Sequence, residues 1–192
     1  MHQNLKAYKT PNNFRGRCAF TVQLWWIVQA MLFSTSPQIM FGWRRFLLRC
    51  FGAKIGKKVL IRPSVKTTYP WNLSIGDYSW IGDEVVLYSL AEIEIGEHTV
   101  ISQRSYICTA SHKYNAPEFS IYSEKVSVGA QCWLATDVYV APGLTIEDGV
   151  VVGARSTVLS DLKGYKVYVG SPVKFIKDRA TTQEHHNHAG IL

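Results

Sequence analysis

Aliphatic residues recur at every sixth position over most of this chain. They stand at Ile75, Ile81, Leu87 and Ile93, return after a two-residue slip at Ile95, Ile101 and Ile107, and run on through Val128, Leu134, Val140, Ile146, Val152 and Val158. A small or medium residue lies four places after each, as at Ser79, Val85, Ala91, Val150, Ser156 and Leu162. Glycine often follows the aliphatic residue directly, at Gly76, Gly82, Gly96, Gly129 and Gly153. A helix face repeats about every 3.6 residues and a strand face about every 2, so neither produces this beat. A short strand, a corner and the next strand do, with the chain winding round a narrow core. The corners call for residues that tolerate left-handed backbone angles, and Gly76-Asp77 and Gly82-Asp83 are read as supplying them.

Three hexads close one triangular coil. The blocks 75–92, 95–112, 128–145 and 146–163 then read as four full coils, with 55–74 a less regular fifth. Coils stack at the strand spacing of about 4.8 Å, and each buries its apolar edge only against its neighbours. The predicted fold is all-β, a parallel β-helix over residues 53–179. A longer-coiled, less regular β-helix is the alternative that the strict hexad disfavours.

The first third is different. Residues 18–33 (CAFTVQLWWIVQAMLF) are apolar but broken by Gln23 and Gln29, and at 16 residues they fall short of the ~20 that span a bilayer. After Ser36-Pro37, residues 38–51 resume with Arg44, Arg45 and Arg49 interleaved. Residues 1–52 are expected to form helices that cap the open end of the solenoid. A second reading, compatible with the first, rests the Trp/Phe/Arg pattern of residues 18–51 on an anionic membrane surface. The polar stretch 180–192 is expected to be a disordered tail.

At 192 residues and 47% hydrophobic the chain supports one sizeable core. Cys18, Cys50, Cys108 and Cys132 form no CxxC pair and read as reduced thiols of a cytoplasmic protein. No cleavable leader is recognisable. The net charge is +7, but its basic residues build no recognition helix, so nucleic acid is not the expected partner. They gather around Arg44–Arg49 and from Arg155 to Arg179, which suggests two separate anionic partners.

The repeat is interrupted once, over 113–127, and long loops on rigid scaffolds tend to carry function. His112 stands where the loop leaves, and a histidine beside such an excursion is a candidate general base. His2, His185, His186 and His188 lie in the tails and His98 at an ordinary turn. No second ligand at a recognisable spacing accompanies His98 or His112, so no metal is expected.

The hexads, the loop SHKYNAPEF, the stretch VSVGAQCWLATDVYVAPGLTIEDGVVVGARSTV and the closing GSPVKFIK resemble the hexapeptide-repeat acyltransferases. Within them the likeness is greatest to the colanic-acid-type polysaccharide acetyltransferases, which share strings like LWWIVQAMLF and PWNLSIGDYSWIGD, and it covers residues 14 to 179. The resemblance implies a left-handed β-helix with a short C-terminal helix or tail, a homotrimer, and acetyl transfer from acetyl-CoA to a sugar hydroxyl. It places His112 on the family's catalytic histidine. Trp133, Ala135, Thr136 and Ala154 fall on the path of the pantetheine arm, with Pro142-Gly143 and Gly153 keeping the turns slim. Lys174 and Lys177 fall at the coenzyme's phosphates, with Arg155, Lys163 and Lys166 adding to the field. A backbone N–H is the expected donor to the oxyanion.

Two departures matter. Relatives often carry Thr-Lys after the position of Val158, where this chain has Leu159-Ser160-Asp161, so Ser160 is read as standing in for a lost contact. No Asn lies near Gly82-Asp83, where maltose- and galactoside-acetylating relatives orient their acceptor. A small free sugar held in that way is therefore not expected. Tyr88, Gln103, Tyr114, Asn115 and Glu118 are candidates for the acceptor pocket, with Glu118 or Glu124 polarising His112. The expected protein is a cytoplasmic acetyl-CoA-dependent O-acetyltransferase, acting at the inner face of the membrane on a surface polysaccharide or its lipid-linked precursor. An amino-sugar or serine acceptor is the nearest alternative. A non-catalytic trimeric scaffold leaves the loop unexplained, and a zinc hydratase would need three histidines that the repeats lack.

Overall fold

The inward row of each wall is as dry as the periodicity predicts. Ile61, Ile81, Ile101, Leu134 and Val152 are all at most 1% exposed, and the other two rows are buried as well. The computed structural model describes residues 3–11 and 14–180. Its core is a three-walled parallel solenoid. The first wall stacks Lys54–Ile55, Leu73–Ile75, Ile93–Ile95, Val126–Val128 and Thr145–Ile146. The second stacks Leu60–Ile61, Trp80–Ile81, Val100–Ile101, Trp133–Leu134 and Val151–Val152, and the third Lys66–Thr67, Val86–Tyr88, Tyr106–Cys108, Tyr139–Val140 and Thr157–Val158. Register is strict, with Ile55, Ile75, Ile95, Val128 and Ile146 lying one above another.

The slip in the repeat has a simple origin. Successive first-wall strands in the early coils are twenty residues apart, Ile55 to Ile75 to Ile95, but eighteen apart from Val128 to Ile146. The two extra residues lengthen the strand, so Leu73 and Ile93 also point inward and stack under Val126. Side chains alternate along a strand, and Ser74, Glu94 and Ser127 face out between them.

Gly76 and Gly82 act otherwise than expected. The left-handed corner position lies three places after the inward aliphatic residue and is held by Lys58, Tyr78, Glu84, His98, Arg104, Gln131, Asp137 and Arg155, and by glycine at Gly143 and Gly149. Gly76 and Gly82 are needed for close approach instead. A Cβ at Gly76 would sit 2.5 Å from the Glu97 amide nitrogen, and one at Gly82 would sit 2.7 Å from that of Gln103. Asp77 serves the stack too, its carboxylate accepting from the Lys57 N–H at 2.7 Å.

The N-terminal segment forms helix α1 (Ala19–Val28), a π-helical turn (Gln29–Phe33) and helix α2 (Phe41–Cys50), which lie on the first coil. Between coils, carbonyls such as Ile75 O and Ile81 O accept N–H groups from the coil below. The equivalent carbonyls of the first coil have no coil below them, and helix side chains donate in its place. Arg49 donates to Ile55 O and Gly56 O, Arg44 to Ile61 O at 2.6 Å, Arg45 to Val59 O, and Trp25 Nε1 to Thr67 O at 2.8 Å. Gln29 accepts the Thr67 N–H. Arg44 is fully buried and also holds Ser36 Oγ, Pro37 O and Gln38 O. The expectation that these three arginines face anionic lipid is therefore corrected: their guanidinium groups close the open β-edge, which would otherwise leave unpaired carbonyls.

At the other end, the stretch that carries GSPVKFIK closes the solenoid as strand. Lys166–Gly170 adds a parallel strand to the second wall and turns back into antiparallel Val173–Asp178. The tail expected from residue 180 lies, beyond that residue, outside the described residues.

Candidate active site

The excursion is an ordered hairpin, beginning slightly before the point at which the repeat fails. Ala110–His112 pairs antiparallel with Ile121–Ser123 at the corner between the third and first walls. Its base packs into a small cluster of Val22, Tyr69, Leu90 and Ala110, flanked by Tyr88 and Ile121. His112 ends the outgoing strand, half-buried. Its ring stacks on Phe119 with centroids 4.3 Å apart and planes within 9°, and its Nδ1 lies 2.9 Å from the Phe119 carbonyl oxygen. Phe119 has a left-handed backbone, φ +50°, which turns that carbonyl back over the hairpin.

A carbonyl only accepts, so this contact assigns the proton to Nδ1 and leaves the Nε2 lone pair free. The polarising group is thus a peptide oxygen, which corrects the choice of Glu118 or Glu124. Glu118 receives a long contact from Ser120 Oγ, and Glu124 packs against Gly143. The N-terminal arm straps the hairpin: Asn4 N–H donates to Pro117 O at 2.6 Å, and the Tyr8 ring lies 6.4 Å from that of His112.

A groove of about 440 Å³ runs along a different corner, between the second and third walls. Trp133, Ala135, Thr136, Ala154 and Gln103 line it, with Gly153 and Val169. Its floor is narrow because a Cβ at Gly153 would meet Val169 Cγ2 at 2.8 Å. Trp133 is pinned by its Nε1 donating to Ser102 Oγ at 3.0 Å, and Thr136 Oγ1 donates to Gln103 O at 3.0 Å. The lining is largely apolar and small, suited to a slender extended chain.

No protein-family model matches the chain. Over 181 residues it is 56% identical to "Putative colanic acid biosynthesis acetyltransferase WcaF" of Escherichia coli K12, covering 94% of this chain and all of that one. This chain belongs to the hexapeptide-repeat acetyltransferases. A maltose O-acetyltransferase from Clostridium difficile superposes with a TM-score of 0.80 at 25% identity, over 91% of this chain and 92% of that one. A galactoside acetyltransferase solved with coenzyme A gives 0.81 at 20% identity, over 96% and 93% of the two chains, a likeness of fold. The fold is the left-handed β-helix expected of the family.

The remaining candidates of the acetyltransferase divide between the two corners. Tyr114, at 77% exposure, and Asn115 sit at the hairpin's outer turn with Glu118 beside them. Tyr88 stands half-buried at the hairpin's foot, 6.0 Å from the Tyr106 ring, and burial raises its phenol pKa. Gln103 belongs to the groove instead, away from the other acceptor candidates. Lys174 pairs with Val169 across the terminal hairpin, which puts it at the groove's upper rim, with Lys177 further along the strand. Arg155 is at the groove's corner, loosely 3.8 Å from Asp137.

Three expectations do not hold. Lys163 and Lys166 are engaged by Glu147 and Asp178, each at 2.7 Å. Ser160 lies between the third and first walls, outside the groove. Gly143 (φ +80°) lies on that corner too, beneath the excursion, so Pro142-Gly143 does not line the groove. Sequence reasoning missed the Phe119 carbonyl, Tyr8 and Val169. A carbonyl carries no residue-type signal, and Tyr8 precedes the repeats by fifty residues or so, roughly the span of the cap.

Proposed function

We propose that this acetyltransferase transfers the acetyl group of acetyl-CoA to a sugar hydroxyl of a surface polysaccharide or its lipid-linked precursor, with His112 as general base. The observation that carries this reading is the Phe119-bound Nδ1 of His112, which presents Nε2 as an acceptor. Nε2 takes the hydroxyl proton as the oxygen attacks the thioester carbonyl; the C–S bond then breaks, and the departing thiolate recovers that proton. Trp133, Ala135, Thr136 and Ala154 hold the pantetheine arm, while Lys174, Lys177 and Arg155 face the phosphates. Tyr88, Tyr114, Asn115 and Glu118 lie on the histidine's side of the molecule and serve the acceptor. The relative's name supports the polysaccharide, since it is described as acting in colanic acid biosynthesis.

In one chain the histidine and the groove occupy different corners, with a wall of six residues between them, on the order of 15–20 Å. A homotrimer brings one copy's histidine to the next copy's groove. The outward rows support this. The second wall presents Leu60, Trp80, Val100, Trp133 and Val151 in one line, whereas the first presents Lys54, Ser74, Glu94, Ser127 and Thr145. The apolar wall is suited to a neighbouring copy, and the polar wall to water.

Mixing two inactive variants tests the whole reading. His112→Ala spoils one half-site and Ala154→Trp blocks the other. Co-refolded together, they should recover part of the acetyl transfer to a lipid-linked saccharide, because some interfaces pair an intact histidine with an intact groove. Full activity of His112→Ala alone would end the assignment of the base, and no recovery on mixing would end the shared site.

A further inference from the structure

We infer that the outer face of the helical cap docks on an anionic phospholipid bilayer by shallow apolar insertion. The inference deepens the proposed function by naming the surface at which a lipid-linked acceptor would be met. Helix α1 and its π-helical turn carry two opposed stripes. Val22, Trp25, Gln29 and Phe33 face the solenoid: Val22, Trp25 and Phe33 are no more than 1% exposed, and Gln29 and Trp25 bond to Thr67. Phe20, Leu24, Ile27 and Met31 lie half a turn away and are 76%, 41%, 55% and 67% exposed. Ile39 at 85% in the connection and Phe46 at 54% on α2 are further exposed apolar side chains of the cap.

A cap needs one apolar face, so burial against the coil explains the first stripe and leaves the second without a role. Exposed apolar surface of this extent marks an interaction site. Charge selects the occupant. Arg15 and Arg17 precede α1 and Lys54, Lys57 and Lys58 stand on the coil beneath; all are exposed, and none forms an ion pair among the described residues. With a net charge of +7, a second copy meeting this end would bring like charges together, while an anionic bilayer draws them in. No helix among the described residues is long and apolar enough to cross a membrane, so the surface lies on the bilayer rather than spanning it.

The test is flotation of the full-length protein, without acyl donor, on vesicles of phosphatidylethanolamine with phosphatidylglycerol. The wild type should float with the vesicles, and the variant Phe20→Ser/Ile27→Gln/Ile39→Gln should bind at least tenfold more weakly. These positions are exposed, so the variant should keep its fold, its oligomeric mass and its affinity for coenzyme A. Trp26, 40% exposed beside the stripe, supplies a second reading: brominated lipid should quench wild-type fluorescence, and Trp26→Phe should remove that quenching. Failure of the wild type to float, equal flotation of the variant, or a change in the variant's oligomeric mass would each overturn the inference. The last would hand the surface to a second copy. A protein that floats but transfers no acetyl group would leave the docking standing and remove the catalytic reading alone.

Discussion

The Phe119 carbonyl oxygen sits 2.9 Å from Nδ1 of His112, and the same residue's ring lies flat against the imidazole. One residue thereby sets both the tautomer and the plane of the candidate base. Removing the imidazole should then cost catalysis without costing the fold. His112→Ala is expected to lower kcat by about 10²–10⁴-fold, the usual range for a positioned general base. Its KM for acetyl-CoA should stay near the wild-type value, since the residues that line the groove do not include the imidazole. Steady-state kinetics beside a thermal melt separates this from simple destabilisation, and a kcat within threefold of the wild type would remove His112 from the mechanism.

Arg44 makes the complementary case, a charged residue whose work is structural. Four oxygen acceptors surround its buried guanidinium: Ile61 O, Ser36 Oγ, Pro37 O and Gln38 O. Arg44→Met keeps much of the apolar stem but strands those acceptors, so a loss of about 3 kcal/mol or more in unfolding free energy is expected. Urea denaturation checks it. Vesicle binding by any folded fraction should be unchanged, because this charge never reaches the surface.

The solenoid was legible because a buried row at fixed spacing is a property of residue type. Ile81 and Leu134 announce themselves by being aliphatic in phase, and their neighbours along the axis follow from coil length. The cap was legible in kind but not in wiring. Arg44, Arg45 and Arg49 look alike as letters, and only the position of the unpaired carbonyls on the first coil decides that they point inward. Gly76 looks like a turn glycine in the sequence, but its value lies in the nearness of the next coil, a contact between residues about twenty apart, and not in its own backbone angle. The groove residues Ala135, Thr136 and Ala154 were reached through resemblance, since small residues at a corner carry no chemical signal of their own. The Phe119 carbonyl was out of reach, because every residue has one.

The cysteines supply a pH-dependent check on the packing. Burial pushes the Cys132 thiol up to about 11, so at pH 8 only about one molecule in a thousand carries its thiolate. The exposed Cys18 is shifted the other way, chiefly by the Thr21 hydroxyl 3.3 Å from its sulfur, which favours the thiolate. Raising the pH should therefore bring Cys18 into reaction first, while Cys132 stays unmodified until the protein unfolds. Alkylation followed by peptide mass mapping reads the order directly. Labelling of Cys132 in the folded protein at a rate comparable with Cys18 would mean that the later coils open far more often than their dry core allows.

Lys174 and Lys177 lie on the closing strand Val173–Asp178, Lys174 opposite the Val169 that walls the groove and Lys177 opposite Val167. Neither forms an ion pair among the described residues, whereas Lys163 and Lys166 are held by carboxylates. An unpaired ammonium group beside an apolar channel is available to a phosphate, and one already bridged to a carboxylate must first give up that partner. Lys174→Gln/Lys177→Gln should accordingly raise KM for acetyl-CoA by about tenfold with little change in kcat, an effect that shrinks as salt screens the charges. The donor decides the cause. Acetyl-pantetheine carries no phosphate, so the variant should use it as well as the wild type does. An equal loss with both donors would place these lysines in the fold of the terminal hairpin rather than at the coenzyme's charged end.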